Sequence, residues 1–530
     1  MAEHFIGIDV GTGSARAGVF DAKGTLLGVG KHDIVLFQEA GSIAEQSSED
    51  IWSAVCRSVR LAIVAAGVDP RSIAGIGFDA TCSLVVLGEG GIPISVSSTG
   101  DPNRNIIVWM DHRAREQAER INATRHPVLA YVGGRISPEM QTPKLLWLKE
   151  HLRPAFDGAW QFFDLPDFLT WRATGSLART TCTVTCKWTY LAHERRWDPS
   201  YFETIGLAEL ANEGFARIGT EIVEAGTALG HGLTPAAAFD MGLPAGINVA
   251  ASLIDAHAGG LGTVGASGGS GSVQSRMAYV FGTSACTMST SPEPAFVDGI
   301  WGPYYSAMIP GYWLSEGGQS AAGAAIDQLV HLHPAAPEAE ARAKAAGTSL
   351  VGWLSQEAAV LPSAIATVGK LHVVPEFLGN RAPFADPEAR AVIAGLGMER
   401  SLESLLGLYV AGVVSLGYGV RQIVAASRAK GLVIDTIVVS GGAAQAPLVR
   451  QLLADSTGIE VAATAADEPV LLGAAILATL AADRYPDAAT AMSAMSRVAH
   501  SYRPSPGNRD WHERRFAAFE RLQLAARLPG

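Results

Sequence analysis

Positive charge is scarce in this chain: 40 Lys and Arg stand against 51 Asp and Glu in 530 residues, a formal net charge of −11. Nucleic acid and anionic membrane surfaces both demand clustered positive charge, so neither is expected as a partner. That balance leaves open a phosphate held by backbone N–H groups and a metal ion. Cysteine is scarce too, with five residues at 56, 82, 182, 186 and 286 and no CxxC. Cys182 and Cys186 lack a second ligand pair at zinc spacing, so reduced thiols in a cytoplasmic compartment are expected. No apolar run spans a bilayer. The longest, PVLLGAAILATLAA at 469–482, is closed by Glu468 and Asp483 and reads as a buried helix. The first residues, MAEHFIGID, carry an acid where a signal peptide needs basic residues. There is no GxxxxGK[ST], which excludes a P-loop.

Glycine, at 58 residues, is plentiful, and its placement is informative. Residues 5–21, FIGIDVGTGSARAGVFD, place a Gly-Thr-Gly-Ser turn between two runs of β-formers. Gly11 and Gly13 leave room beside that turn, while Thr12 and Ser14 add hydroxyls to its N–H groups, so the loop can cradle an anion. Asp9 would repel bare phosphate but suits a hydrated Mg²⁺ that bridges phosphates. The plain alternative is a tight hairpin with an ordinary edge acid. Residues 279–288, YVFGTSACTM, repeat the arrangement with Gly282, Thr283 and Ser284. Residues 434–445, IDTIVVSGGAAQ, form a β-branched run that empties into Gly441-Gly442 ahead of a helix-like segment.

The length implies at least two domains. Residues 5–38 read as three strands, 47–66 as a helix opened by Ser47, Ser48, Glu49 and Asp50, and AGIGFDA as the next strand. Residues 161–191, ending in TCTVTCKWTYL, read as strand material, and 401–430 as a helix. NVAASLID runs as a strand into Asp255, and residues 265–275 are a Gly/Ser-rich loop. After residue 300 the pattern recurs, so the only duplication is domain-scale, with a boundary expected near residue 253.

Two phosphate-type hairpins and a strand–Gly-Gly–helix unit resemble the actin/hexokinase/heat-shock-chaperone superfamily. The resemblance implies an α/β, two-domain actin-like ATPase (ribonuclease H-like) fold. Each half would carry a duplicated β-β-β-α-β-α-β-α core, with ATP in the interdomain cleft. Further residues narrow it: Asp9-Val-Gly-Thr-Gly-Ser, WMDHR (109–113), PKLLWLKE (143–150), Asp255-Ala-His-Ala-Gly, GTSA (282–285), SGGAAQ (440–445) and EPVLLGAA (468–475). In this order they resemble the FGGY carbohydrate kinases over nearly the full chain. FDATCS (78–83), TCKWTY (185–190) and SEGGQS (315–320) are most similar to the pentulose kinases of that family, the D-ribulose branch in particular.

The resemblance implies an ATP- and Mg²⁺-dependent kinase for a pentulose, with L-ribulose, ribitol and xylulose as alternatives to D-ribulose. The expected domains are 1–253, holding sugar and the first phosphate loop, and 254–530, holding ATP. A homodimer is compatible with the family. Asp255 is implied as general base; by itself it reads equally as a helix cap. Asp9 is assigned to the metal. Gly11, Thr12, Gly13, Ser14, Arg16, Gly282, Thr283, Ser284, Gly441, Gly442, Ala443 and Gln445 are assigned to ATP. Arg16 also reads as a solvated strand residue.

The sugar set is Ala80, Thr81, Lys187, Asp255 and Glu316, although a lysine between Cys186 and Trp188 also reads as a snorkelling side chain. Asp111 and Arg113 read by default as a structural ion pair, with substrate or hinge roles as the alternative; His331 and His333 read as surface residues, His257 as a packed or supporting residue rather than a base, and most tryptophans as core. The fold alone also admits a chaperone-like ATPase or an interaction protein. The convergence of Lys187, Asp255 and Glu316 argues against both, and the presence of Asp9 and Asp255 against an inactive kinase relative.

Overall fold

The computed structural model describes residues 3–39 and 42–527. Its architecture follows from two mixed sheets, each begun by one of the glycine hairpins. In the first sheet, strand His4–Val10 pairs antiparallel with Ser14–Asp21, which pairs with Leu26–Asp33. On its other side His4–Val10 runs parallel to Ile73–Ala80, in a register that sets Asp9 beside Asp79. The intervening helix, Ser48–Ala66, starts where the Ser47 hydroxyl accepts the Asp50 N–H and stops at Gly67, φ 64°. Ile51, Val55, Val59, Ala62 and Ile63 form its buried stripe.

The second sheet repeats this plan. Strand Arg276–Phe281 pairs antiparallel with Ala285–Ser291, which pairs with Trp313–Gln319; its parallel partner is Thr436–Ser440. Trp301–Tyr305 and the strands Glu460–Thr464 and Val498–Tyr502 extend the two edges.

Two helices join the sheets at close range, Asp255–Val264 and Pro469–Ala481. The second lies directly on the first sheet, where a Cβ at Gly7 or Gly77 would stand 2.0 or 1.9 Å from the Leu471 or Ala474 carbonyl oxygen. The helices also meet backbone to backbone: a Cβ at Gly262 would be 2.1 Å from Pro469 O, and one at Gly473 1.9 Å from Ala258 O. Glycine is required there because the helix axes approach more closely than any side chain permits. The apolar run at 469–482 is thus a central buried helix, as its composition predicts.

Two expectations fail between 165 and 188. Leu165–Thr174 is a helix with Pro166 in its first turn and Gly175, φ 76°, beyond its end. Thr181–Trp188 is also a helix, capped by the Thr180 hydroxyl, which accepts the Cys182 N–H. All eight of its residues are buried, so its Thr/Val/Cys content reports enclosure on every side rather than a pleated strand. NVAASLID is also not one strand: Asn248–Val249 and Leu253–Ile254 each pair with Ile73–Ala80, with a loop between.

Against the expectation that 469–482 is the longest apolar stretch, Leu402–Ala429 is long and apolar enough by composition to cross a membrane, but 78% of its most apolar window is buried in the fold. It is the core helix of the second half, packing on the helix Pro447–Thr457. All five cysteines are unpaired.

Candidate active site

A cavity of about 340 Å³ opens between the two hairpins, lined by Asp9, Gly11 and Arg16 from one and Gly282, Thr283 and Ser284 from the other. Thr81, Lys187, Asp255 and Glu316 complete much of the wall. Residues more than 300 positions apart therefore share one space of a size suited to a small polar ligand.

The first hairpin is braced from outside. Gly11 N–H bonds Ser14 O at 3.0 Å, Ile34 N–H bonds Gly13 O at 3.0 Å, and Gln46 Nε2 donates to Thr12 O at 2.7 Å. Trp109 Nε1 donates to Thr12 Oγ1 at 3.0 Å, which leaves the threonine O–H to donate elsewhere. Arg16 lines the cavity half-exposed, and its guanidinium is already paired. It grips Asp9 across the hairpin and Glu468 at 2.8 Å. Burial works against its charge, but the two carboxylates more than compensate.

In the second hairpin Gly282 N–H bonds Ser284 O at 3.0 Å, and the Gly282 and Thr283 carbonyls accept N–H groups at the start of helix Gly323–His331. Gly441, φ 95°, packs under Phe281, and Ala443 lies beside Gly323. Gly441, Gly442, Ala443 and Gln445 thus stand next to the second hairpin but do not line the cavity; nor do Thr12, Gly13, Ser14 or the fully buried Ala80.

Asp255 opens the helix Asp255–Val264 at its first turn, and its Oδ1 accepts the Ala256 N–H at 2.7 Å. Burial, reinforced by the negative charge of Asp9, raises it to about 6, a value suited to a base at neutral pH. Asp79 lies deeper. It is fully buried, neither carboxylate oxygen has a hydrogen-bond partner, and burial together with Asp9 and Asp255 pushes it well above the carboxylate range. Among the described residues no group of three or more His, Cys, Asp or Glu side chains forms a ready-made metal cage.

Lys187 does not snorkel. It projects from its buried helix into the cavity, with Nζ 5.8 Å from the Trp301 ring centre. Burial disfavours its charge, but Cys82 and Glu316 hold it above the ordinary lysine range. Glu316 is opposed by burial as well; hydrogen bonding to His257 and the charge of Lys187 bring it down to about 2. The cavity wall also contains residues that sequence reasoning passed over: Glu139, Arg381, Trp301 and Cys286. The Arg381 guanidinium stands 5.4 Å from the Trp301 ring centre, so that ring is flanked by two cations. A lone arginine in the turn-forming segment GNRAP was the available signal for it.

Asp111 and Arg113 form a buried ion pair at 2.7 Å, shared with Glu45, as their structural reading expects. His331 is exposed, whereas His333 is buried against Ser404 at 3.0 Å, which corrects its surface assignment.

Two large mixed sheets with paired phosphate-type hairpins over a shared polar cavity have the form of an actin-like sugar kinase. The same fold covers 99% of this chain in the xylulose kinases of Rhodospirillum rubrum (TM-score 0.80, 21% identity, 99% of that chain) and Lactobacillus acidophilus (TM-score 0.80, 18% identity, 98% of that chain). The models for the N-terminal and C-terminal domains of the FGGY family of carbohydrate kinases match residues 4–262 and 277–482. The chain is 45% identical over 531 residues to the human FGGY carbohydrate kinase domain-containing protein, covering 98% of this chain and 96% of that one. It is 37% identical over 519 residues to a D-ribulokinase of Saccharomyces cerevisiae, covering 91% and 72%. The chain belongs to the FGGY family of carbohydrate kinases and is an ATP-using sugar kinase.

Proposed function

We propose that this kinase phosphorylates the terminal hydroxyl of a pentulose, converting D-ribulose to D-ribulose 5-phosphate. The observation that carries the reading is the position of Asp255. It shares a wall with both hairpins and with Lys187 and Glu316, the donor and acceptor a polyhydroxylated sugar needs. Similarity to the yeast D-ribulokinase supports the choice of sugar.

In this reading Asp255 accepts the proton of the attacking hydroxyl as its oxygen bonds the γ-phosphorus, and ADP leaves in line. Lys187 and Glu316 orient the sugar, with Thr81 and the end of strand Ile73–Ala80 beside them. The remaining amides of the two turns, Thr12 to Ser14 and Thr283 to Ser284, hold the phosphate tail, while Gly441–Gln445 lies toward the adenosine. Sugar contacts fall mainly in residues 1–253 and ATP contacts in 254–530, with Glu316 and Arg381 closing the sugar site from the second domain.

Asp9, with the unpartnered oxygens of Asp79 behind it, offers the hard oxygen donors that a hydrated Mg²⁺ takes. When bound there, the ion neutralises charge on the β- and γ-phosphates. Binding of sugar draws the domains together and excludes water.

The test is ADP release over pentuloses, pentitols and glycerol, with and without sugar. Highest kcat/KM on D-ribulose and little hydrolysis without sugar are expected. Preference for L-ribulose, ribitol or xylulose would overturn the substrate, and vigorous sugar-independent hydrolysis would overturn the closure.

A further inference from the structure

Behind the sugar wall three buried side chains stand in line. Cys182 Sγ is 3.0 Å from Nδ1 of His257, and the opposite ring nitrogen, Nε2, is 3.3 Å from Oε2 of Glu316. Cys182 is fully buried, His257 is 1% exposed and Glu316 6%. The Ile254 N–H also points at Sγ, at 3.4 Å, and Cys186 lies one helical turn along the same helix.

The hydrogen-bond chain fixes the end that faces the cavity. Glu316 is flanked by Lys187 and Arg381 and is ionised, so the ring nitrogen facing it donates. Cys182 Sγ accepts the Ile254 N–H, and with Nδ1 protonated it accepts that proton as well. Both ring nitrogens then carry protons, and the sulfur carries the balancing negative charge. We infer that Cys182 and His257 form a buried thiolate–imidazolium pair that positions Glu316 and keeps its carboxylate an acceptor for a sugar hydroxyl. This role rests on the sugar-site reading above.

Electrostatics agrees with the geometry. Burial opposes ionisation of Cys182, but the Cys186 thiol, the charge and N–H of His257 and the Ile254 amide together bring it down to about 5. Burial likewise opposes the His257 cation, and Cys182 and Glu316 overcome it, raising it to about 10. The order of the groups is the reverse of a Cys–His–acid nucleophile. Here the acid faces the cavity and the sulfur sits at the back, outside the lining residues. The pair positions; it does not attack. It also ties the helix that carries Lys187 to the helix that carries Asp255, so the two ends of the sugar site share one brace.

The first measurement uses the unaltered protein. Burial raises the other four thiols, Cys56, Cys82, Cys186 and Cys286, so an ultraviolet thiolate band near neutral pH reports Cys182 alone. The band is expected in the native enzyme and lost in both Cys182→Ser and His257→Gln. Losing the charge-assisted bond to Glu316 should raise the KM for D-ribulose about tenfold in His257→Gln, with the KM for ATP unchanged. Cys182→Ser, nearly isosteric, should shift it in the same direction by less. Should His257→Gln fail to fold, Cys182→Ser and the native spectrum still decide.

Absence of the native band, an unmoved sugar KM in both variants, or a loss confined to kcat would overturn the inference. Glu316→Gln separates the two readings. If it leaves the sugar KM unchanged while the thiolate band persists, the sugar-site reading fails, and the positioning role with it, although the ion pair stands.

Discussion

Set side by side, the hairpin around residues 11–14 and the hairpin around 282–284 are each closed by one N–H to carbonyl bond of 3.0 Å from the first glycine to the serine, although the first turn is one residue longer. One residue below the strand ends they part. In the first, Asp9 faces Arg16 across the antiparallel pair and Asp79 across the parallel one. In the second, the same stations hold Val280, Cys286 and Ser440. The duplication has kept the backbone donors and confined charge to one side. Amides suffice to hold a phosphate tail, because they point into the turn whatever the side chains are. Two full sets of carboxylates around one nucleotide would repel it, and in the proposed reading the acids stand only where a cation and the reacting hydroxyl are managed.

The most damaging way to probe that asymmetry is at the acid beside the charged hairpin. Asp255→Asn should lower kcat by about a thousandfold, within the range of a lost general base, while the fold survives. Near-normal turnover in the coupled ADP assay would mean another group takes the proton.

Next come the paired stations. Asp9→Asn should lower turnover about a hundredfold and raise the magnesium concentration needed for half-maximal rate, whereas Val280→Ala should change neither much. Equal losses would erase the division of labour between the hairpins.

A pH profile sharpens the comparison with less disturbance. With Asp255 at about 6, kcat/KM should be flat above that value and fall about tenfold per unit below it, as the base is protonated. A limb that persists unchanged in Asp255→Glu, or lies near pH 4, would remove Asp255 from that role.

The smallest expected effect concerns Asp79 and its counterpart Ser440, whose hydroxyl is also buried without a partner. Below the ordinary carboxylate range both folded and unfolded chains hold the Asp79 proton, and the residue costs nothing. As pH rises the unfolded chain releases a proton that the folded chain retains, so the cost grows until the raised folded value is passed. Asp79→Asn should therefore stabilise the metal-free protein at neutral pH by roughly 1–3 kcal/mol and lose that advantage in acid. Ser440→Ala should move stability by less than about 1 kcal/mol at any pH. Thermal melts of both variants at two pH values make the check.

Much of this was readable from residues alone, for identifiable reasons. A hairpin glycine motif is local: Gly11, Gly13 and Gly282 mark tight turns wherever the chain goes, and the apolar run at 469–482 is a buried helix in any compact arrangement. Local reasoning failed at 181–188, because β-branched residues enclosed on all sides look the same in a strand and in a buried helix. It missed Arg381, Trp301 and Glu139, whose neighbours are tens to hundreds of positions away. It placed His257 among packed or supporting residues rather than as a base, but nothing nearby in the chain reveals Cys182 on one side of the ring and Glu316 on the other.

Sequence by itself determined the class of molecule: two glycine hairpins, one acid at the first strand end, a Gly-Gly turn behind the second, and no lysine-bearing phosphate loop. Only the tertiary structure decided what each charge does. Arg16 is consumed by Asp9 and Glu468, Asp255 is raised by burial beside Asp9, and Glu316 is held ionised by a histidine and a lysine. Backbone conformation answers to neighbours a few residues away, whereas the state of a buried charge answers to every group within a few ångströms, and those groups assemble only when the chain has folded.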